Sequence, residues 1–199
     1  MLKRLALAAA LAAVAGFAAA APTTYKIDPN HTDVIASWSH FGFSHPVAHF
    51  GQVDGSITYD PADVAASKVE VTIPLAGLNS HVPDFDEHLR SADFFDAANH
   101  PAITFKSTKV EAAGEGKLRV HGNLTVRGVT KPVVLDTTIN KVGEQPMAKR
   151  PAAGFDATTT LKRSDFGLGK YAPNVSDEVS IRITTEAIVP KGDAAAPGK

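Results

Sequence analysis

The chain has 199 residues, 44% of them hydrophobic and 21% charged, with a formal net charge of −1 and no cysteine. Without cysteine it forms no disulfide, no thiolate metal site, no catalytic thiol and no lipidated cysteine. The near-neutral balance lacks the basic excess with which nucleic-acid binders neutralise phosphates, and the length suits one domain with a sizeable core.

The first twenty residues follow the order of a secretory signal: Lys3 and Arg4 near the start, an apolar run from Leu5 to Phe17, then Ala18 to Ala20. The run is dominated by alanine and is shorter than the roughly 20 strongly apolar residues of a spanning helix. Cleavage after Ala20 removes Lys3 and Arg4, takes the formal charge from −1 to −3, and predicts a soluble periplasmic product. Residues 21–189 then read as one domain, with Ala21 to Thr24 loose at its start and residues 190–199 a disordered tail.

Alternation with a period of two predicts eight strands: about His31 to Gly42, Gly51 to Tyr59, Lys68 to Leu75, Ala102 to Glu111, Lys117 to Val126, Val129 to Lys141, Ala152 to Leu161 and Asp177 to Val189. In the last strand Val179, Ile181, Ile183 and Thr185 share one face, and Glu178, Ser180, Arg182 and Thr184 the other. The fifth repeats this, with Leu118, Val120, Gly122, Leu124 and Val126 against Arg119, His121, Asn123 and Thr125. Sheets with one apolar face must close into a barrel or pack as a sandwich. Between the third and fourth strands, Val82 to Ala98 reads as two short helical pieces. Asp84 caps the first, which has Phe85, His88 and Leu89 on one face, and Ser91 caps the second, which contains Phe94 and Phe95.

Three patterns bear on chemistry. His40, His45 and His49 lie close together, but their spacing fits no single helix face and Pro46 interrupts them, so convergence on a metal is unforced. Ser44 beside His45 lacks a nucleophile elbow, and Asp84 and Asp86 read as helix N-terminal acids rather than an acid–base pair. Aromatic residues are more informative as a group: Trp38, Phe41, Phe43, Phe50, Phe85, Phe94, Phe95, Phe105, Phe155 and Phe166 are spread over several strands and the insert. Eight strands enclose an interior just wide enough to be filled by side chains or to hold one ligand, and alternation alone leaves both open. Strand parity places Val34, Ala36, Trp38 and His40 on one face, toward that interior.

Four stretches together resemble the YceI family. The first has Asp28-Pro29-x-His31-Thr32-x-Val34, then His40 and Gly51-x-Val53. The second is Asp86-x-His88-Leu89-Arg90-Ser91-x-Asp93-Phe94-Phe95-Asp96, leading to His100-Pro101-x-Ile103-x-Phe105-x-Ser107. The third runs from Gly122 to Val133 and includes Thr125-Val126-Arg127-Gly128. The fourth joins Gly154-Phe155-x-Ala157, Arg163-Ser164-Asp165-Phe166-Gly167 and Val175-Ser176-Asp177-Glu178-Val179. Each is weak alone, but four in order over about Tyr25 to Ile188 are specific.

The resemblance implies an all-β fold: an eight-stranded antiparallel lipocalin-like barrel with a long apolar tunnel and a short helical insert. It further implies an exported, non-enzymatic protein that carries a polyisoprenoid, an isoprenoid quinone or another long-chain lipid, with no resident cofactor. A membrane b-type cytochrome is implied as a partner by association, and a homodimer is left open. The ligand-lining set expected on these grounds is Val34, Ala36, Trp38, His40, Phe85, Phe94, Phe95, Phe105, Phe155 and Phe166. Relative to the usual pattern, Ala36 and Trp38 stand where Phe and Val are frequent, and Phe85 replaces a residue that is commonly polar.

Overall fold

A computed structural model describes residues 22–192. The leader, Ala21 and residues 193–199 of the expected tail lie outside the described residues. The described chain forms β1 (Thr23–Ile27), β2 (Asp33–His40), β3 (Val47–Phe50), β4 (Asp54–Tyr59), β5 (Lys68–Pro74), β6 (Leu78–Asn79), α1 (Pro83–Arg90), β7 (Ala102–Ala112), β8 (Lys117–Val126), β9 (Val129–Gln145), β10 (Arg150–Lys162) and β11 (Val175–Ile188).

These eleven strands make a barrel of eight staves, because six of them join end to end in pairs. β1 continues into β2 through a 3-10 turn at Pro29–His31, β3 into β4 across residues 51–53, and β5 into β6 through a turn at Leu75–Gly77. Each half finds its own antiparallel partner: β1 with β4, β2 with β3, β4 with β5 and β3 with β6. From β5 the sheet proceeds through β7, β8, β9 and β10 to β11. β11 closes the ring by pairing with β1 at Ile188 and Ala187 and with β2 from Thr184 to Val175. Closure removes the free edges that an open sheet would expose.

The kinks in the compound staves have local causes. At the first, the Asp28 carboxylate accepts from the Asn30 amide at 2.9 Å and contacts His31 Nδ1 at 2.8 Å, so the Asp-Pro-x-His motif is a turn cap. That contact holds the Asp28 carboxyl below its ordinary value and raises the His31 imidazole above its own. Between the second and third staves the Gly51 amide donates to the Gly77 carbonyl at 3.0 Å, and a Cβ on Gly77 would stand 2.8 Å from the Gly51 carbonyl carbon. The bend therefore needs glycine at position 77, whereas a Cβ at Gly51 would make only an ordinary contact with the Gly77 carbonyl at 3.8 Å.

Three sequence expectations are corrected here. Thr23 and Thr24 are ordered in β1 opposite Tyr59 and Thr58, not loose, because β4 supplies a partner edge. Residues 47–50 and 78–79, which the alternation left outside the eight strands, are strands, because β2 and β3 supply them with partner edges. The insert contains one helix: α1 begins after Val82 with no side-chain cap, Asp84 lies within its first turn, and Ser91 is its C-terminal cap, the hydroxyl donating to the His88 carbonyl at 2.7 Å. Residues 92–95 and 97–99 form turns.

Candidate functional site

The barrel is hollow. A cavity of about 400 Å³ runs inside it, lined by side chains from β2, β3, β4, β5, β7, β8, β9, β10 and β11 and from the insert. Along β11 the inward set is Val179, Ile181, Ile183 and Thr185, and along β8 it includes Leu118, Val120, Leu124 and Val126, as alternation requires. Val179, Ile181, Ile183, Leu124 and Leu135 point inward yet are only half-buried, because the space they face is accessible from solvent. In a filled barrel such side chains would be buried by their neighbours across the axis.

At one end Tyr59 and Phe155 meet edge-to-face at 5.8 Å and close the floor, and burial raises the Tyr59 hydroxyl pKa. At the other end the insert lies across the mouth through three aromatic contacts. Phe85 of α1 meets Trp38 of β2 at 5.9 Å, and Phe95 meets Phe50 of β3 at 5.8 Å. Phe94 touches His88 at 4.9 Å and Tyr171, on the loop between β10 and β11, at 6.2 Å.

Three arginines fix this end of the barrel by donating to carbonyl groups. Arg90 of α1 donates from Nε to Leu75 O at 3.0 Å and from Nη2 to Leu78 O, which anchors the insert to the bend between β5 and β6. Arg127, in the β8–β9 turn, bridges the insert and the β10–β11 loop through Ala92 O and Gly167 O, both at 2.8 Å. Arg163, just after β10, donates to Ser176 O, Lys170 O and Val175 O at 2.8 Å each and to Leu168 O. Burial lowers the Arg163 pKa, and Asp177 partly offsets this. Lys170 Nζ reaches Asp93 Oδ2 at 2.5 Å, a tie from loop to insert that raises the ammonium pKa and lowers the carboxyl pKa.

All ten residues expected from the sequence line this one cavity. Val34, Ala36, Trp38 and His40 form the β2 row, the last two toward the mouth. Phe85, Phe94 and Phe95 come from the insert. Phe105 is buried on β7 with its ring across Gly122, where a Cβ would also stand 2.7 Å from Lys106 O. Phe155 forms the floor and Phe166 is buried beneath the β10–β11 loop. Sequence reasoning missed Tyr59, Tyr171, His88 and Lys170 as lining residues. The tyrosines carried an apolar signal equal to that of the phenylalanines, but Tyr171 sits in a stretch with no periodicity.

The histidine group does not converge. Val34 pairs with Phe50 and Ala36 with Ala48 on the inner face, so His40 is on the cavity side and His49 on the outside. There His49 Nδ1 contacts Asp33 Oδ2 at 2.7 Å, while His45 is exposed in the β2–β3 loop. Among the described residues no three His, Cys, Asp or Glu side chains are grouped to hold a metal ion. Asp86 is buried and accepts from the Ser80 amide at 2.7 Å, whereas Asp84 is exposed, so the two acids do not act as a pair.

Comparisons with known proteins agree with this architecture. A family model described as the YceI-like domain matches residues 25–187. A UPF0312 protein of Azotobacter vinelandii is 39% identical over 94% of this chain and 99% of its own length. A UPF0312 protein of Vibrio cholerae is 39% identical over 84% of this chain and 89% of its own. Among solved structures, Burkholderia cenocepacia BcnA matches with a TM-score of 0.74 and 27% identity, covering 81% of this chain and 99% of that one. The YceI protein of Campylobacter jejuni matches with a TM-score of 0.70 and 32% identity over 77% of this chain and 90% of that one. A polyisoprenoid binding domain from Saccharophagus degradans shares the fold, with a TM-score of 0.62 at 14% identity over 83% of this chain and 98% of that one. The eight-stave barrel, the position of its insert and these matches lead to one assignment: the chain belongs to the YceI family.

Proposed function

We propose that the protein binds one long-chain apolar lipid, a polyisoprenoid or an isoprenoid quinone, inside the barrel and carries or sequesters it in the periplasm. The observation that carries this reading is the hollow interior walled by apolar side chains from every stave. Burying a CH₂ contributes roughly 0.8 kcal/mol, so a five-carbon isoprene unit contributes on the order of 4 kcal/mol. A few such units outweigh the cost of association. The likeness to a structure described as a polyisoprenoid binding domain supports the same class of ligand.

The mouth favours an uncharged head. Arg163 is engaged by four carbonyls and Lys170 by Asp93, so these two lining cations are not offered to a phosphate. His40, His88 and Tyr171 remain as polar contacts of the size that a quinone or alcohol head requires. In this reading the ten lining residues bind rather than catalyse.

Trp38, the sole tryptophan, gives a direct test. A prenyl quinone added to delipidated protein is expected to quench its fluorescence saturably. Trp38→Ala is expected to weaken binding by roughly 1 to 3 kcal/mol, the worth of one apolar contact. Unchanged affinity in a folded Trp38→Ala variant, measured by calorimetry, counts against the lining role. The compartment rests on the leader: the mature chain is expected in the osmotic-shock fluid with its N-terminus at or near Ala21, and recovery only with membranes would contradict it.

A further inference from the structure

The cavity stops at one layer of the barrel. Phe155, Tyr59 and the hydroxyl pair Thr32 and Thr185, 2.8 Å apart, line its closed end. The next inward residues, Ala153, Ala187, Tyr25 and Val189, do not reach it and are 0% to 5% exposed. Ala153 and Ala187 pair with each other two residues along from the pair Phe155 and Thr185, so parity puts all four on the inner face. Above this layer Ile181 and Ile183 are only half-buried, whereas Phe155 is buried. The barrel therefore changes at Phe155 from hollow to solid.

The strands fix the distance from this floor to the polar contacts of the mouth. From Thr32 to His40 the chain advances eight residues in extended conformation. That is about 26 Å along the strand at roughly 3.3 Å per residue, or about 20 Å along the barrel axis for a tilt of about 40°. An extended isoprene repeat, with four skeletal bonds of about 1.5 Å, is about 5 Å long, so about four repeats separate the floor from a head held at His40. An eight-stave interior has room for one extended chain, and surplus repeats push the head out of the mouth.

From this we infer that the floor is a ruler. The Phe155 ring, backed by Tyr59 across their edge-to-face contact of 5.8 Å, stops the tail and selects cargo by the number of isoprene repeats between tail end and head. Apolar burial alone makes no such selection, since every further repeat taken out of water strengthens binding, and only a closed end makes a longer chain bind worse. Length selection rests on the lipid-binding reading of the cavity, and Phe155 adds to that reading the residue that decides which chains fit.

The test is loading of the delipidated protein from detergent micelles that hold equal amounts of prenyl quinones, graded by single repeats from shorter to longer than this depth. Native mass spectrometry then reads which lengths are retained. Because all proteins draw on the same micelles, the partition of each quinone into detergent cancels between them. Wild type is expected to retain chains of about four repeats. Phe155→Ala opens space about the size of one repeat, since a core closes only partly over a lost ring, and is expected to move the retained length up by about one. Ala157 borders the cavity one pair above the floor, opposite Ile183 and Thr137. Ala157→Phe raises the floor and is expected to move the retained length down by about one repeat. Melting temperature reads folding separately, and where Phe155→Ala does not fold, Ala157→Phe decides alone. A Phe155 that serves only the core would lower the melting temperature and leave the retained lengths as in wild type. The same length distribution in wild type and folded variants overturns the proposal, as does a wild type that favours the longest chains supplied. A wild type that retains no quinone of any length removes the lipid-binding reading itself, and the ruler with it.

Discussion

Ala36→Trp is expected to abolish lipid binding while leaving the barrel folded. Ala36 lies on the inner face of β2, between Ile181 of β11 and Ala48 of β3, and its methyl group borders the cavity. An indole there takes up space that the cargo would occupy, displacing about one isoprene unit. At roughly 0.8 kcal/mol per CH₂ the loss is about 4 kcal/mol, roughly a thousandfold in affinity. The same substitution separates a hollow barrel from a filled one. Overpacking a filled core costs about 1 to 3 kcal/mol, whereas a side chain entering existing space costs little. Denaturant midpoints of delipidated wild type and variant should therefore lie close together, with ligand affinity lost. A large drop in the midpoint would mean that the interior near Ala36 has no room.

Arg163→Ala is expected to destabilise the protein by about 3 kcal/mol, because the carbonyls of Leu168, Lys170, Val175 and Ser176 lose a shared donor. For a chain of this length that corresponds to a fall in melting temperature of roughly 6 to 12 °C. Arg163→Lys should recover only a small part, since an ammonium is a single point of donation and cannot span the fork of carbonyls that a guanidinium reaches. The effect should appear locally as faster amide exchange in residues 167–175, which Arg163 ties to β11. Thermal scans of the three proteins without ligand measure it, and a melting temperature unchanged in Arg163→Ala would show that the loop is held by other contacts. Comparison without ligand matters, because bound lipid adds its own stabilisation by mass action.

Much of the wall was legible in the chain. The alternation of Val179, Ile181, Ile183 and Thr185 and of Leu118, Val120, Leu124 and Val126 required one apolar face, and these residues point into the barrel. The row Val34, Ala36, Trp38 and His40 followed from parity in the same way. Short elements were not legible: Val47–Phe50 and Leu78–Asn79 carry too few residues for a periodic signal, and they are strands because β2 and β3 offer them an edge. Helix ends were misjudged at Ser91, whose hydroxyl caps the C-terminus of α1, since a serine serves either end and only the chain path decides.

The hollow interior was also beyond the sequence. Parity states which side chains face inward, but whether they meet across the axis depends on stave number and on side-chain size around the whole ring. The contact of Trp38 with Phe85 and that of Phe94 with Tyr171 join segments far apart in the chain, and nothing local announces them. Arg90, Arg127 and Arg163 illustrate the converse. They stand inside the stretches that carry the family resemblance, which gave them no role, and their geometry assigns them to carbonyl clamps that shape the mouth.

The most direct test of a lipid-filled barrel is native mass spectrometry of the protein purified from its host without detergent, followed by extraction and identification of whatever leaves it. The account predicts one apolar lipid per chain, with an isoprenoid tail and an uncharged head, that is lost when Ala36→Trp is purified in the same way. A wild-type chain that carries no lipid, and takes up none when a prenyl quinone is supplied, would contradict it.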